Sequence, residues 1–198
     1  MKTLLRSLIV VMLFGFFQEA RAFNSPLSIS LLPPLQFPSS EYSVTGARLS
    51  ALWGHHRDVY GLDVGLLGNM TDQRFVGVAL SGLFNQTSGD TTILVAQAAL
   101  GANLNSQKTS VYGVQVAALN KNDAESKLVG LGLGLANLSP NMSIYGVQAG
   151  IFNKARSVYG LQIGLVNSTT DLHGLQIGLV NFSVNQGFAV APILNVGF

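Results

Sequence analysis

Cysteine is absent from the 198-residue chain. No disulfide can staple it, no thiolate zinc site can form, and no lipid-acceptor cysteine follows the N-terminal apolar run. Charge is scarce as well: Asp, Glu, Lys and Arg make up 10% of the residues, against about 25% in ordinary soluble proteins. Hydrophobic residues make up 48%. Beyond the N-terminus, however, no run is both helical in pattern and close to the ~20 apolar residues that a helix needs to cross a bilayer. A helical membrane protein is therefore not expected. The formal net charge of +2 resides in the first 22 residues, where Lys2, Arg6 and Arg21 face only Glu19. Removing them from eleven basic and nine acidic residues leaves eight of each. A neutral chain has no charge-driven grip on nucleic acid.

What is present begins with an export signal. Lys2 and Arg6 precede the apolar run Leu8 to Phe17, and Ala20-Arg21-Ala22 forms an A-x-A cleavage site before Phe23. This predicts a signal peptide over residues 1 to 22. The remainder suits a single domain. Residues 23 to 42 read as an edge strand, a plug or a leader, because Pro33-Pro34 interrupts any regular central strand there.

From residue 43 to 198 the chain repeats itself, and such self-similarity governs the reading of a fold. The cores include GLDVGLLGN (61 to 69), GVQVAALN (113 to 120), GVQAGIFN (146 to 153) and GLQIGLVN, present twice at 160 to 167 and 174 to 181. The closing Asn falls at 69, 85, 103, 120, 137, 153, 167, 181 and 195. These intervals of 14 to 18 residues carry a period of two, and turn-forming Asn, Ser, Thr, Asp and Gly gather between the cores. The prediction is a strand in each repeat. With an upstream strand over Ser43 to Trp53 the count is ten, or twelve if residues 23 to 42 add a pair.

Side chains alternate along a strand. Tyr159, Leu161, Ile163, Leu165 and Asn167 should share one face, and Gly160, Gln162 and Gly164 the other. Arg48 and Asp63 occupy the Gln slot in neighbouring repeats, which predicts a cross-strand ion pair on a face shared with Gln97, Gln115, Gln148, Gln162 and Gln176. A polar inside and an oily outside suggest an antiparallel transmembrane β-barrel with these seven residues lining its lumen. Trp53, Tyr60, Tyr112, Tyr145, Tyr159 and Phe198 would form its aromatic girdles. Outer-membrane lipid would then surround it. The closing strand, ending on Phe198, is similar to the terminal strand that outer-membrane assembly machinery recognises, although Ile193 stands where a Gly is usual.

The GLQIGLxN units, the upstream LLPPLQFPSSEYSVTGARLSALWG and the closing PILNVGF together resemble bacterial surface-repeat proteins first grouped from spirochaete sequences. The likeness spans residues 27 to 198. It implies an exported bacterial envelope protein at the outer membrane or cell surface, without an assigned activity, and carries over no functional residues.

A parallel β-solenoid is the structural rival, because short repeats with a recurring Asn suit stacked rungs. A straight eight-residue strand spans roughly 26 Å, so a fourteen-residue rung closes only if it bends sharply at its glycines. In function, a structural or surface-interaction role competes with a narrow pore and with a secreted solenoid. Enzymatic candidates are confined to His55, His56 and Asp58 at one turn and to Asp171 and His173 at another. No motif joins them to a nucleophile or an activated water, so no catalysis, metal or cofactor is expected. Six N-x-[ST] sequons occur, at Asn69, Asn85, Asn137, Asn141, Asn167 and Asn181. Five of these coincide with the closing Asn and follow from turn chemistry.

Overall fold

A computed structural model describes residues 23–198, and the signal peptide expected over residues 1 to 22 lies outside them. The described chain is all-β, with sixteen strands in one continuous hydrogen-bonded arrangement. It is a β-solenoid of about ten turns and not a barrel. Successive repeats stack in parallel and in register: Gly146 lies beside Gly160, and Gly160 beside Gly174. The sheet never closes on itself. It begins at the hairpin partner Leu35–Phe37 and ends at Val190–Gly197.

The expected antiparallel barrel fails because the eight-residue core is not one strand. In the repeat at 160 to 167 the first strand stops at Ile163, residues 164 and 165 bend, and a second short strand runs Val166–Thr169. Gln162 and Asn167 are five residues apart, an odd separation that would put them on opposite faces of a straight strand. Both are fully buried, because the bend consumes one step of the alternation. Asn167 therefore leaves the oily face to which simple alternation assigns it.

Glycine makes the bend possible. A Cβ on Gly164 would lie inside the carbonyl oxygen of Gly150 in the preceding coil. The return path is then short, and a fourteen-residue rung closes.

Inward side chains form parallel ladders along the axis. One is apolar: Val44, Val59, Phe75, Ile93, Val111, Leu128, Ile144, Val158 and Leu172 are each at most 1% exposed. The others are polar and are described below. The stack is capped at both ends. Asn24–Leu32 lies parallel to Ser43–Ser50 and folds back antiparallel onto Leu35–Phe37, so residues 23 to 42 form the first coil and its cover. At the far end Val190–Gly197 reverses direction and pairs antiparallel with Asp171–Ser183. A reversal of this kind ends the parallel stack, as the atypical terminal units of solenoids do.

Candidate functional site

The polar interior is where the sequence-selected residues converge. Arg48 and Asp63 sit in adjacent coils in direct register. Arg48 Nε donates to Asp63 Oδ1 at 2.8 Å and its Nη2 to Oδ2 at 2.6 Å, with both side chains essentially unexposed. Arg48 Nη1 also donates to the Met70 carbonyl oxygen at 2.7 Å. Burial pushes the Asp63 carboxyl up from its ordinary value, and the charge and hydrogen bonds of Arg48 oppose that push.

The five glutamines continue the same row. Gln115 Nε2 donates to Gln97 Oε1, Gln162 Nε2 to Gln148 Oε1 and Gln176 Nε2 to Gln162 Oε1, each at 2.8 Å. Gly132 interrupts the row between Gln115 and Gln148. All seven residues expected to line a lumen are thus in the interior, but that interior is filled. The void beside Asp63, Thr71, Phe75 and Gln97 does not admit a water-sized sphere.

A second polar ladder goes beyond the expectation from sequence. Asn69, Asn85, Asn103, Asn120, Asn137, Asn153, Asn167 and Asn181 form one unbroken chain, each Nδ2 donating to the next Oδ1 at 2.8 to 2.9 Å. The other Nδ2 hydrogen is used as well. Asn153 donates to the carbonyl of Ile163, the last strand residue before that coil's bend, and Asn167 to the carbonyl of Ile177, which is in register with Ile163. Each amide thereby pins a corner to its neighbour, and the ladder's first oxygen, Asn69 Oδ1, is left without a donor. The five sequon asparagines on this ladder are buried, which removes them from the surface that glycosylation needs. The odd spacing from Gln115, Gln148, Gln162 and Gln176 to the closing Asn, five residues in each case, is the sequence signal for this ladder.

The histidines sit in three separate surroundings. His56 lies inside, with Nε2 3.3 Å from both Ser28 Oγ and the Pro38 carbonyl oxygen and Nδ1 3.5 Å from Arg48 Nη1. His55 faces outward and contacts Asp72 at 2.8 Å. Asp58 accepts from Ser43 and Arg57. His173 stacks on Tyr159 at 4.7 Å between ring centroids, and Tyr159 on Tyr145 at 4.9 Å. Asp171 accepts from Ser157 and Asn185. Among the described residues, no three His, Asp or Glu side chains converge to hold a metal ion.

No protein-family model, curated protein or solved structure matches this chain. Its own geometry is what bears on function.

The aromatics expected as two girdles are arranged differently. Tyr112, Tyr145 and Tyr159 fall on one outer row along the axis, whereas the row of Tyr60 runs through Val76 and Thr92 to Ser110 because the register shifts after Gly77. Trp53 begins a second outer row that contains Phe84 and Phe152. Phe198 is 97% exposed just beyond the last strand. Longitudinal files replace rims because the coils stack along the axis instead of standing side by side across a membrane.

His56 gives the interior a pH dependence. Burial, followed by the nearby Arg48 charge, lowers its pKa from 6.5 to about 4. A base held below its unfolded value stays neutral in the fold while the unfolded chain takes up a proton. Its contribution is therefore intact above about pH 6.5 and is lost as pH falls towards about 4, by about 2 kcal/mol once solvent screening is allowed for. Denaturant midpoints measured across this window should fall with acidification, and His56→Gln should remove much of the slope.

Proposed function

We propose that this protein is an exported, non-catalytic β-solenoid of a bacterial cell surface, serving as a structural or surface-interaction element. The observation that carries the reading is how the interior is used. Its Gln, Asn, Arg and Asp side chains bond one coil to the next and fill the space between them, which turns the reading to the exterior rows.

The N-terminal signal pattern and the resemblance to surface-repeat proteins support export. A pore loses its basis when no lumen is present. The terminal strand acts as a cap, so recognition of Phe198 by barrel-assembly machinery loses the barrel to which it was attached.

Protease treatment of intact cells carrying the full chain tests the surface assignment. The protein, or reporter tags in the exposed turns near residues 107 and 125, should be accessible without lysis. Access only after the envelope is broken would overturn the proposal.

A further inference from the structure

The exterior is divided by chemistry. In the coil ending at Asn167 the outward residues around the bend are Leu161, Ile163, Leu165 and Val166. Equivalent positions in the other coils hold Leu62 and Leu131, Leu49 and Ile177, Leu135 and Leu179, Phe84 and Phe152. Within the eight stretches that run from the Tyr row to a closing Asn, and the one before them that closes on Gly54, the only charged residues are Arg48 and Asp63, and these are buried against each other. The remaining charges of the described chain, such as Lys108, Asp123, Lys154, Arg156 and Asp171, all lie outside those stretches, towards the opposite turns.

At about 4.8 Å per coil this uncharged edge runs for about 45 Å, well beyond the scattered apolar exposure of a soluble monomer. Leu135, Leu165 and Leu179 along it are 60%, 49% and 66% exposed.

We infer that this edge inserts into the acyl region of a phospholipid bilayer, with the solenoid lying along the membrane surface. The inference deepens the proposed function by naming the partner, and depends on it only for which membrane is met. Three features select lipid over a protein partner.

The first is shape. The outward rows stand on the two sides of the bend at residues 164 and 165, so a rigid flat partner covers one side while fluid acyl chains cover both. The furrow between them, floored by Gly150, Gly164 and Gly178 and enclosing about 550 Å³ at the C-terminal end, also suits flexible chains.

The second is the backbone. Hydrocarbon excludes polypeptide with unpaired polar groups, yet the corner amides are bonded between coils. Gly150 N donates to the Ile163 oxygen, Ile151 N to Leu135, Leu165 N to Ile151 and Val180 N to Leu165, all between 2.8 and 3.0 Å.

The third is the border. Tyr112, Tyr145 and Tyr159 stand between the aliphatic rows and the charged turns, at the level where amphipathic rings meet a bilayer interface. Insertion of such an edge by several ångströms is the geometry of monotopic proteins.

Flotation of the purified full chain with phosphatidylcholine vesicles tests this. The protein should float with the vesicles and remain with them at high salt, because the described residues carry equal numbers of positive and negative charges. The triple variant Leu135→Gln, Leu165→Gln, Leu179→Gln should partition about a hundredfold more weakly or worse. It should keep its β-type circular-dichroism spectrum, because all three side chains project outward. Lys154→Gln with Arg156→Gln should float like the wild type.

Folded wild-type protein that stays at the bottom overturns the inference, as does a triple variant that floats undiminished. A dimer in sedimentation that the triple variant dissolves, without flotation, would assign the edge to a second copy of the chain. A positive protease result on intact cells with no flotation would remove the lipid contact and leave the surface role standing.

Discussion

Asp63→Ala is expected to destabilise the N-terminal coils by about 3–5 kcal/mol, because it strands the Arg48 guanidinium in the interior with its strongest partner gone. Arg48 is 0% exposed, and the Met70 carbonyl, the Thr71 hydroxyl and His56 Nδ1 that remain to it carry no negative charge. The loss should be local as well as large, since each coil of a solenoid touches mainly its neighbours. Hydrogen exchange should therefore accelerate first at residues 43 to 71, with the coils beyond Gln148 still protected. The paired replacement Arg48→Met with Asp63→Leu gives the contrasting expectation. Removing both charges and refilling the volume should restore most of the stability, because desolvation of a buried pair offsets much of its attraction. Equal loss in the single and paired variants would mean that packing, and not the uncompensated charge, governs the site.

Gly160→Val should be the more disruptive change per atom added. Gly160 has φ of +143°, a conformation that costs an L-residue about 1–3 kcal/mol and a β-branched one more. A Cβ there would also lie inside the Gly146 carbonyl oxygen of the preceding coil. Neither coil can move aside without breaking the register that aligns Gln148 with Gln162 and Ile144 with Val158. A total of at least about 4 kcal/mol is expected when strain and overpacking are combined. Midpoints in urea should drop accordingly, and Gly132→Ala serves as the comparison. Gly132 has no positive φ, and a Cβ there would meet only side-chain atoms at 3.8 Å, so that variant should be close to neutral.

A third glycine, Gly164, marks how far the fold was legible. Period-two alternation and the fourteen-residue spacing were enough for an all-β repeat fold, and the shared slot of Arg48 and Asp63 was enough to make them neighbours. Strand direction was not legible in the same way. Alternation is a property of a single strand, whereas a parallel coil and an antiparallel hairpin differ only in where the chain turns. That information sits in Gly164, one residue inside the segment that looks most like a continuous strand. Read as one strand, GLQIGLVN places Asn167 with the leucines; read as strand, bend and strand, it places Asn167 beside Gln162 in the interior. His56 was obscure for a related reason. Its neighbour His55 faces solvent, and which member of an adjacent pair points inward follows from register, which the deviant first repeat hides.

The two amide ladders run in opposite senses. Along the asparagines every Nδ2 donates towards the C-terminal end, while along the glutamines every Nε2 donates towards the N-terminal end. Each line of aligned amides is a string of dipoles, as aligned peptide units are in an α-helix, and the two strings oppose one another only where both are present. Seven asparagine bonds run one way against three glutamine bonds the other, and Ala79 and Gly132 break the glutamine row. The stack therefore keeps a net polarity along its axis, set by the asparagines, and its two ends are electrically distinct.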